Sequence, residues 1–133
     1  VRSRGLGDVY KRQDKRPFLS FAVQGGDTQD QNLLQFFLNM VEFEMNVQEA
    51  AEAANVNSYQ MYSSFGTHSK EAGRIVVRDD TPPWVIKDLR SKGYNVVTRR
   101  LTSGPINAIW FDHKNGTMWG GSSNFGEDYG IGW

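Results

Sequence analysis

Apolar and polar positions along this chain follow strand-like and helix-like periods in turn, which predicts a mixed fold of the α+β class. From Pro17, the run Phe18-Leu-Ser-Phe-Ala-Val23 is apolar or small and reads as a strand, and Gly25-Gly26 breaks the extended pattern. Asp27, Thr28 and Gln29 then offer caps for a helix. Over Gln31 to Phe43, apolar side chains at Leu33, Leu34, Phe36, Phe37, Leu38, Met40, Val41 and Phe43 leave only Gln35, Asn39 and Glu42 as a narrow polar stripe at helical spacing. A helix of that pattern is expected to be buried around most of its circumference, as in a layer between a sheet and other elements.

Asn46 caps a second predicted helix over Val47 to Ala54, with Glu49 placed for a capping box. Ser58 to Ser64 reads as a strand, Phe65 to Gly73 as a polar loop containing His68, and Arg74 to Arg78 as a short strand through Ile75-Val-Val77. Asp79-Asp80-Thr81-Pro82-Pro83 starts a third helix, capped by Thr81 or Asp80, that runs to Lys92 and stops at Gly93. Trp84, Val85, Ile86 and Leu89 are its candidates for the core. Tyr94 to Arg99 and Ile106 to Asp112 read as strands, and Asn115-Gly116 is a hairpin turn returning through Thr117-Met-Trp-Gly-Gly-Ser122. The glycine-rich stretch from Gly120 to Trp133 is too irregular for core and has two readings, a cleft lining or a flexible tail.

Composition narrows the class. At 133 residues, with 38% hydrophobic and 13% aromatic residues, the chain holds about one globular domain. Its formal net charge is zero and it carries no basic patch, which argues against nucleic acid as a partner. Cysteine is absent, so disulfides, cysteine zinc sites and a cysteine nucleophile are excluded, while the redox compartment stays open. No apolar run reaches the ~18 residues of a membrane span. Val1 to Gln13 carries Arg2, Arg4, Lys11 and Arg12 against Asp8 alone, has no useful period and resembles a translated sequencing adapter. Residues 1–13 are therefore read as a non-native leader, with a natural basic arm as the alternative, and are set aside from fold reasoning; 14–133 is the domain.

The candidate chemistry centres on Gly25-Gly26. A glycine pair between a strand and a helix lets backbone N–H groups turn outward with no Cβ in the way, and the positive end of the helix dipole adds to them, which suits an anion or oxyanion. A tight strand-to-helix turn explains two glycines as well. His68 and His113 are lone loop histidines without partners at ligand spacing, and Asp79-Asp80 is accounted for by helix capping, so no metal site is assigned. No cofactor is assigned either.

Gly25-Gly26 followed by the apolar helix, then Asn46-Val-Gln-Glu-Ala50, Leu89-x-x-x-Gly93, Gly104-x-x-Asn-Ala-Ile109 and Gly120-Gly-Ser122, form an ordered set that resembles the gamma-glutamyltransferase family over Pro17 to Trp133. The resemblance corresponds to the carboxy-terminal part of the small, autocatalytically released subunit of these N-terminal-nucleophile hydrolases, whose fold is an αββα sandwich. It implies that Gly25 and Gly26 are oxyanion donors, that the nucleophilic threonine and a substrate-contacting serine pair lie upstream of this chain, and that the fragment alone is inactive. Ser63-Ser64 and Thr28 stand in the wrong place to replace those groups. It further implies a gamma-glutamyl or related amide as small-molecule substrate, the upstream part of the same precursor as partner, and a periplasmic or extracellular address, a cytoplasmic one staying open.

Departures from the family pattern occur at Val23-Gln24, Asn55-Val56 and Ser123-Asn124-Phe125, where Ser-Pro, Pro-Arg and Asp-Pro-Arg are common. The form Gly-Gly-Asp-x-Gln-x-Gln over Gly25 to Gln31 is closer to the gamma-glutamyltransferase-like amide hydrolases than to the glutathione-specific enzymes. Two readings from other classes stand beside this one: a self-contained α/β binding module for an anionic ligand, and a catalytically dead interaction subunit.

Overall fold

A computed structural model of the chain describes residues 6–10, 15–102 and 104–124. It contains two sheets. The first has the order β1 (Leu6–Tyr10), β2 (Pro17–Val23), β6 (Ile106–Asp112), β7 (Thr117–Ser122), with every neighbouring pair antiparallel. The second joins β3 (Val56–Ser58), β4 (Arg74–Arg78) and β5 (Asn95–Arg99), with β3 antiparallel and β5 parallel to β4. Helices α1 (Gln29–Val41) and α2 (Val47–Glu52) follow β2, and α3 (Pro83–Ser91) makes the crossover that a parallel pair requires.

Alternation in β2 explains the first core. Leu19, Phe21 and Val23 point to one face, in register with Trp110, Ala108 and Ile106, and there they meet α1 and α2 through Phe36, Val47, Ala50 and Ala51. Phe21 lies 5.4 Å from Phe36 and 6.4 Å from Phe37, ring centre to ring centre. A smaller core under α3 comprises Ile75, Val77 and Val96, with Ile86 and Leu89 packed against it.

Three connections tie the two sheets together. Gln35 and Gln31, one turn apart on α1, hydrogen-bond the backbone of Val56 and Ser58 in β3. Asn55 Nδ2 donates to Asn32 Oδ1 at 2.8 Å, and Thr102 Oγ1 donates to Asn55 Oδ1. Arg78 pairs with Asp80 and also donates to the carbonyls of Glu52 and Ala53 at the end of α2.

Several expectations need correction. α1 is not buried around most of its circumference: Asn32 and Phe36 are buried, but Leu34 is 57% exposed and Val41 and Phe43 also face solvent. Thr28 occupies its N-cap position without a side-chain capping bond. The strand expected over Ser58 to Ser64 instead runs over Val56–Ser58, paired with β4 on one edge and held by Gln35 and Gln31 on the other. α3 is capped by neither Thr81 nor Asp80; Pro82 takes that position while Asp80 is held by Arg78, and Trp84 points into solvent. Gly120 to Ser122 belongs to β7 rather than to an irregular tail, and residues 125–133 lie outside the described part. Leu6 to Tyr10, within the segment set aside on sequence, pairs along the edge of β2.

Other readings hold. Asn46 and Glu49 form the capping box at α2, with Asn46 Oδ1 accepting from the N–H of Gln48 and Glu49. Gly93 stops α3 at φ +90°, and Gly116 turns the β6–β7 hairpin at φ +68°. In that hairpin His113 Nε2 lies 2.6 Å from the carbonyl of Pro17, fastening the turn to the start of β2.

Candidate active site

β2 delivers the chain to Gln24, whose N–H donates to the carbonyl of Pro105 at 3.0 Å. Gly104 explains how two backbones come this close. A Cβ there would lie 1.9 Å from the Gln24 oxygen, so only glycine fits. Gly25 then reverses the chain at φ +149°, a conformation that side-chain-bearing residues seldom adopt. Gly26 has no positive φ; its constraint is the ring of Phe65, whose Cε2 would be 2.8 Å from an added Cβ. The turn closes with the Gln29 N–H donating to the Gly26 carbonyl at 3.1 Å and Gln29 Nε2 donating to the Val23 carbonyl at 3.2 Å.

Among the described residues, the N–H groups of Gly25 and Gly26 have no hydrogen-bond partner, and both glycines are exposed. They precede the amino end of the 13-residue α1, where the helix dipole and its unsatisfied N–H groups favour negative charge. Asp27 also stands at this turn, where one oxygen of its carboxylate accepts from the Ser64 N–H at 2.7 Å.

That bond pins a loop, residues 59–72, across the turn. Pairing of Glu71 N–H with the Tyr59 carbonyl and of Ser63 N–H with the Ser69 carbonyl makes a hairpin-like arm. Its tip is tied by Phe65 N–H to Ser63 Oγ and by His68 Nδ1 at 2.9 Å from the Ser63 carbonyl. A contact across so many residues leaves no local period in the sequence.

Among the described residues, no hydroxyl here is paired with a base. Ser63 Oγ accepts from the Phe65 backbone, Ser64 is anchored through its own N–H, and the His68 ring faces a carbonyl rather than a hydroxyl. Ser122 Oγ is buried in β7 with no partner among the described residues. Among these residues there is no group of three or more His, Asp or Glu able to hold a metal ion. Asp80 is held below the ordinary carboxyl range, chiefly by its hydrogen bond with Arg78, in a structural pair away from the turn. Two exposed backbone N–H groups ahead of a helix amino end are the kind of donors that suit an anion or oxyanion.

The chain is similar to known proteins in both sequence and fold. The family model described as Gamma-glutamyltranspeptidase matches residues 9–133. A glutathione hydrolase proenzyme of Bacillus subtilis is 29% identical over 121 residues, covering 90% of this chain and 19% of that protein. The chain thus spans about a fifth of this relative's length. The solved structure of LmbA2991HD superposes with a TM-score of 0.82 at 28% identity over 90% of this chain and 22% of its own. A gamma-glutamyltranspeptidase from Pseudomonas nitroreducens, solved in complex with L-DON, superposes with a TM-score of 0.74 at 18% identity over 100% of this chain and 65% of its own, a likeness of fold.

Proposed function

The chain belongs to the gamma-glutamyltranspeptidase family, and from that premise we propose that it is the carboxy-terminal part of an N-terminal-nucleophile hydrolase that hydrolyses or transfers gamma-glutamyl or related amides, with Gly25 and Gly26 as oxyanion donors. The observation that supports the reading is the pair of N–H groups at the β2–α1 turn that have no partner among the described residues. A threonine upstream of this chain, freed by self-cleavage, supplies the nucleophile and its own amino group supplies the base. Its Oγ forms a bond to the scissile carbon while the carbonyl electron pair moves onto oxygen, between the two N–H groups. Collapse breaks the C–N bond and the amine leaves with the proton taken from the threonine hydroxyl. Water, or an acceptor amine, then attacks the resulting ester and regenerates the threonine.

In this reading the open face of the first sheet receives the second sheet of the αββα sandwich. Ile109 and Met118 point to that face, away from the helices, and both are exposed in this chain. The test is an acid quench of the intact precursor during turnover of a gamma-glutamyl anilide, followed by peptide mass analysis. A gamma-glutamyl ester on a new amino-terminal threonine is expected; turnover with an unmodified threonine refutes the mechanism.

A further inference from the structure

Phe65 is an exposed ring with little to do for folding. It is 66% solvent-exposed, and its contact is with the face of Gly26 where a side chain would otherwise stand. So small a burial contributes little to stability. Yet the backbone that carries the ring is bonded at each step: the Ser64 N–H on Asp27 fixes the residue before it, its own N–H donates to Ser63 Oγ, and its carbonyl accepts from the His68 N–H at 3.2 Å. The arm behind it is fixed in turn, since Gln31 clasps Ser58 at its base. Tyr62 and Met61 extend the apolar surface along the same arm. An apolar ring left in water on an arm whose backbone is fixed, beside two N–H groups that have no partner among the described residues, marks a surface that a ligand covers.

We propose that Phe65 determines specificity on the amine side of the scissile amide, favouring amines that carry an apolar, preferably aromatic, substituent. The inference rests on the oxyanion reading of Gly25 and Gly26. A carbonyl oxygen accepting from those N–H groups lies about 3 Å from their nitrogens, which brings both substituents of the scissile carbon near the ring. The gamma-glutamyl side ends in an ammonium and a carboxylate, and placing a carboxylate against a phenyl ring strips its water with no hydrogen bond in return. The amine side has no such obligation, and an aryl or alkyl group there stacks on Phe65.

The experiment compares the intact enzyme with F65A and F65L, using a gamma-glutamyl anilide and gamma-glutamylglycine as paired substrates, with Tm measured for each variant. For F65A the expected result is a fall in kcat/KM of about tenfold for the anilide, the scale of one aromatic contact, and a change of less than about twofold for gamma-glutamylglycine, whose amine side carries only a methylene and a carboxylate and gains nothing from the ring. F65L is expected to recover part of the anilide rate, and Tm to stay close to wild type in both variants. Equal losses on both substrates, or no loss on either, overturn the role of Phe65 while leaving the oxyanion reading intact. A wild-type enzyme that turns over neither substrate overturns the proposed function and this inference with it.

Discussion

Gln35 and Val56 are joined by two hydrogen bonds that copy the edge of a strand: Gln35 Nε2 donates to the Val56 carbonyl and its Oε1 accepts from the Val56 N–H, both at 2.8 Å. One helical turn earlier, Gln31 does the same for Ser58, at 3.1 and 2.7 Å. The helix thereby satisfies the free edge of β3 and sets where the arm carrying Phe65 begins. Replacing Gln31 with Ala leaves a partly buried N–H and carbonyl unpaired, a cost of about 1–3 kcal/mol. Amide hydrogen exchange should show Ser58 and the arm losing protection, while the β2–β6 pairing keeps it. Unchanged protection at Ser58 would show that the clasp bears no weight.

Gly104 should be the least replaceable glycine of the turn. An added Cβ meets the Gln24 carbonyl, which is backbone and cannot swing away, whereas at Gly26 it meets an exposed phenyl that can. Gly104→Ala is expected to cost about 2 kcal/mol or more, in the range of forced overpacking, and Gly26→Ala less. Urea unfolding of the two variants provides the comparison, and a Gly104→Ala protein as stable as wild type would contradict the close approach.

Much of this arrangement could be read from the chain because its signals are local. The capping box at Asn46 and Glu49, the stop at Gly93 and the turn at Asn115-Gly116 depend on residues a few positions apart, and all three are as expected. The contacts that define the site are not local. Phe65 on Gly26, Asp27 on Ser64 and Gly104 on Gln24 join segments distant in sequence, and no period records them. Gln35 was legible as polar but not as a bonding group, because the same stripe serves water or a strand edge equally well. The spacing of Gln31 and Gln35 by one turn was the signal that could have found the clasp.

The Arg78–Asp80 pair predicts a pH dependence. Its hydrogen bond lowers the Asp80 pKa below the ordinary 3.8 and raises that of Arg78. Because the folded carboxyl titrates lower than the unfolded one, its stabilisation is fully present above the ordinary value and is lost as pH falls through the folded value. Asp80 is largely exposed, so the effect is small. D80N should melt slightly below wild type at pH 7, with the gap closing as pH drops below 4. A gap that persists in acid would assign the effect to packing.

The isolated chain should expose apolar surface and lack turnover. Leu34, Phe43, Met118 and Trp119 all face solvent, which favours association or strong binding of a hydrophobic dye. Gamma-glutamyl anilide should not be cleaved above background, since no hydroxyl at the turn is paired with a base among the described residues. A monodisperse, dye-silent monomer would contradict the first expectation, and measurable turnover by the pure chain the second.

The central claim is that the Gly25 and Gly26 N–H groups stabilise an oxyanion, and its most direct test is kcat per folded molecule in the intact enzyme bearing Gly25→Ala or Gly26→Ala. Gly25→Ala strains a backbone at φ +149°, and Gly26→Ala displaces Phe65, so each is measured with its folded fraction, and Gly26→Ala also in an F65A background that removes the clash. If a tilted or blocked donor is lost from the transition state, kcat falls roughly 100-fold or more while KM changes far less. Near-normal kcat in the folded fraction of both variants would contradict the account and leave the glycine pair as a turn that only the fold requires.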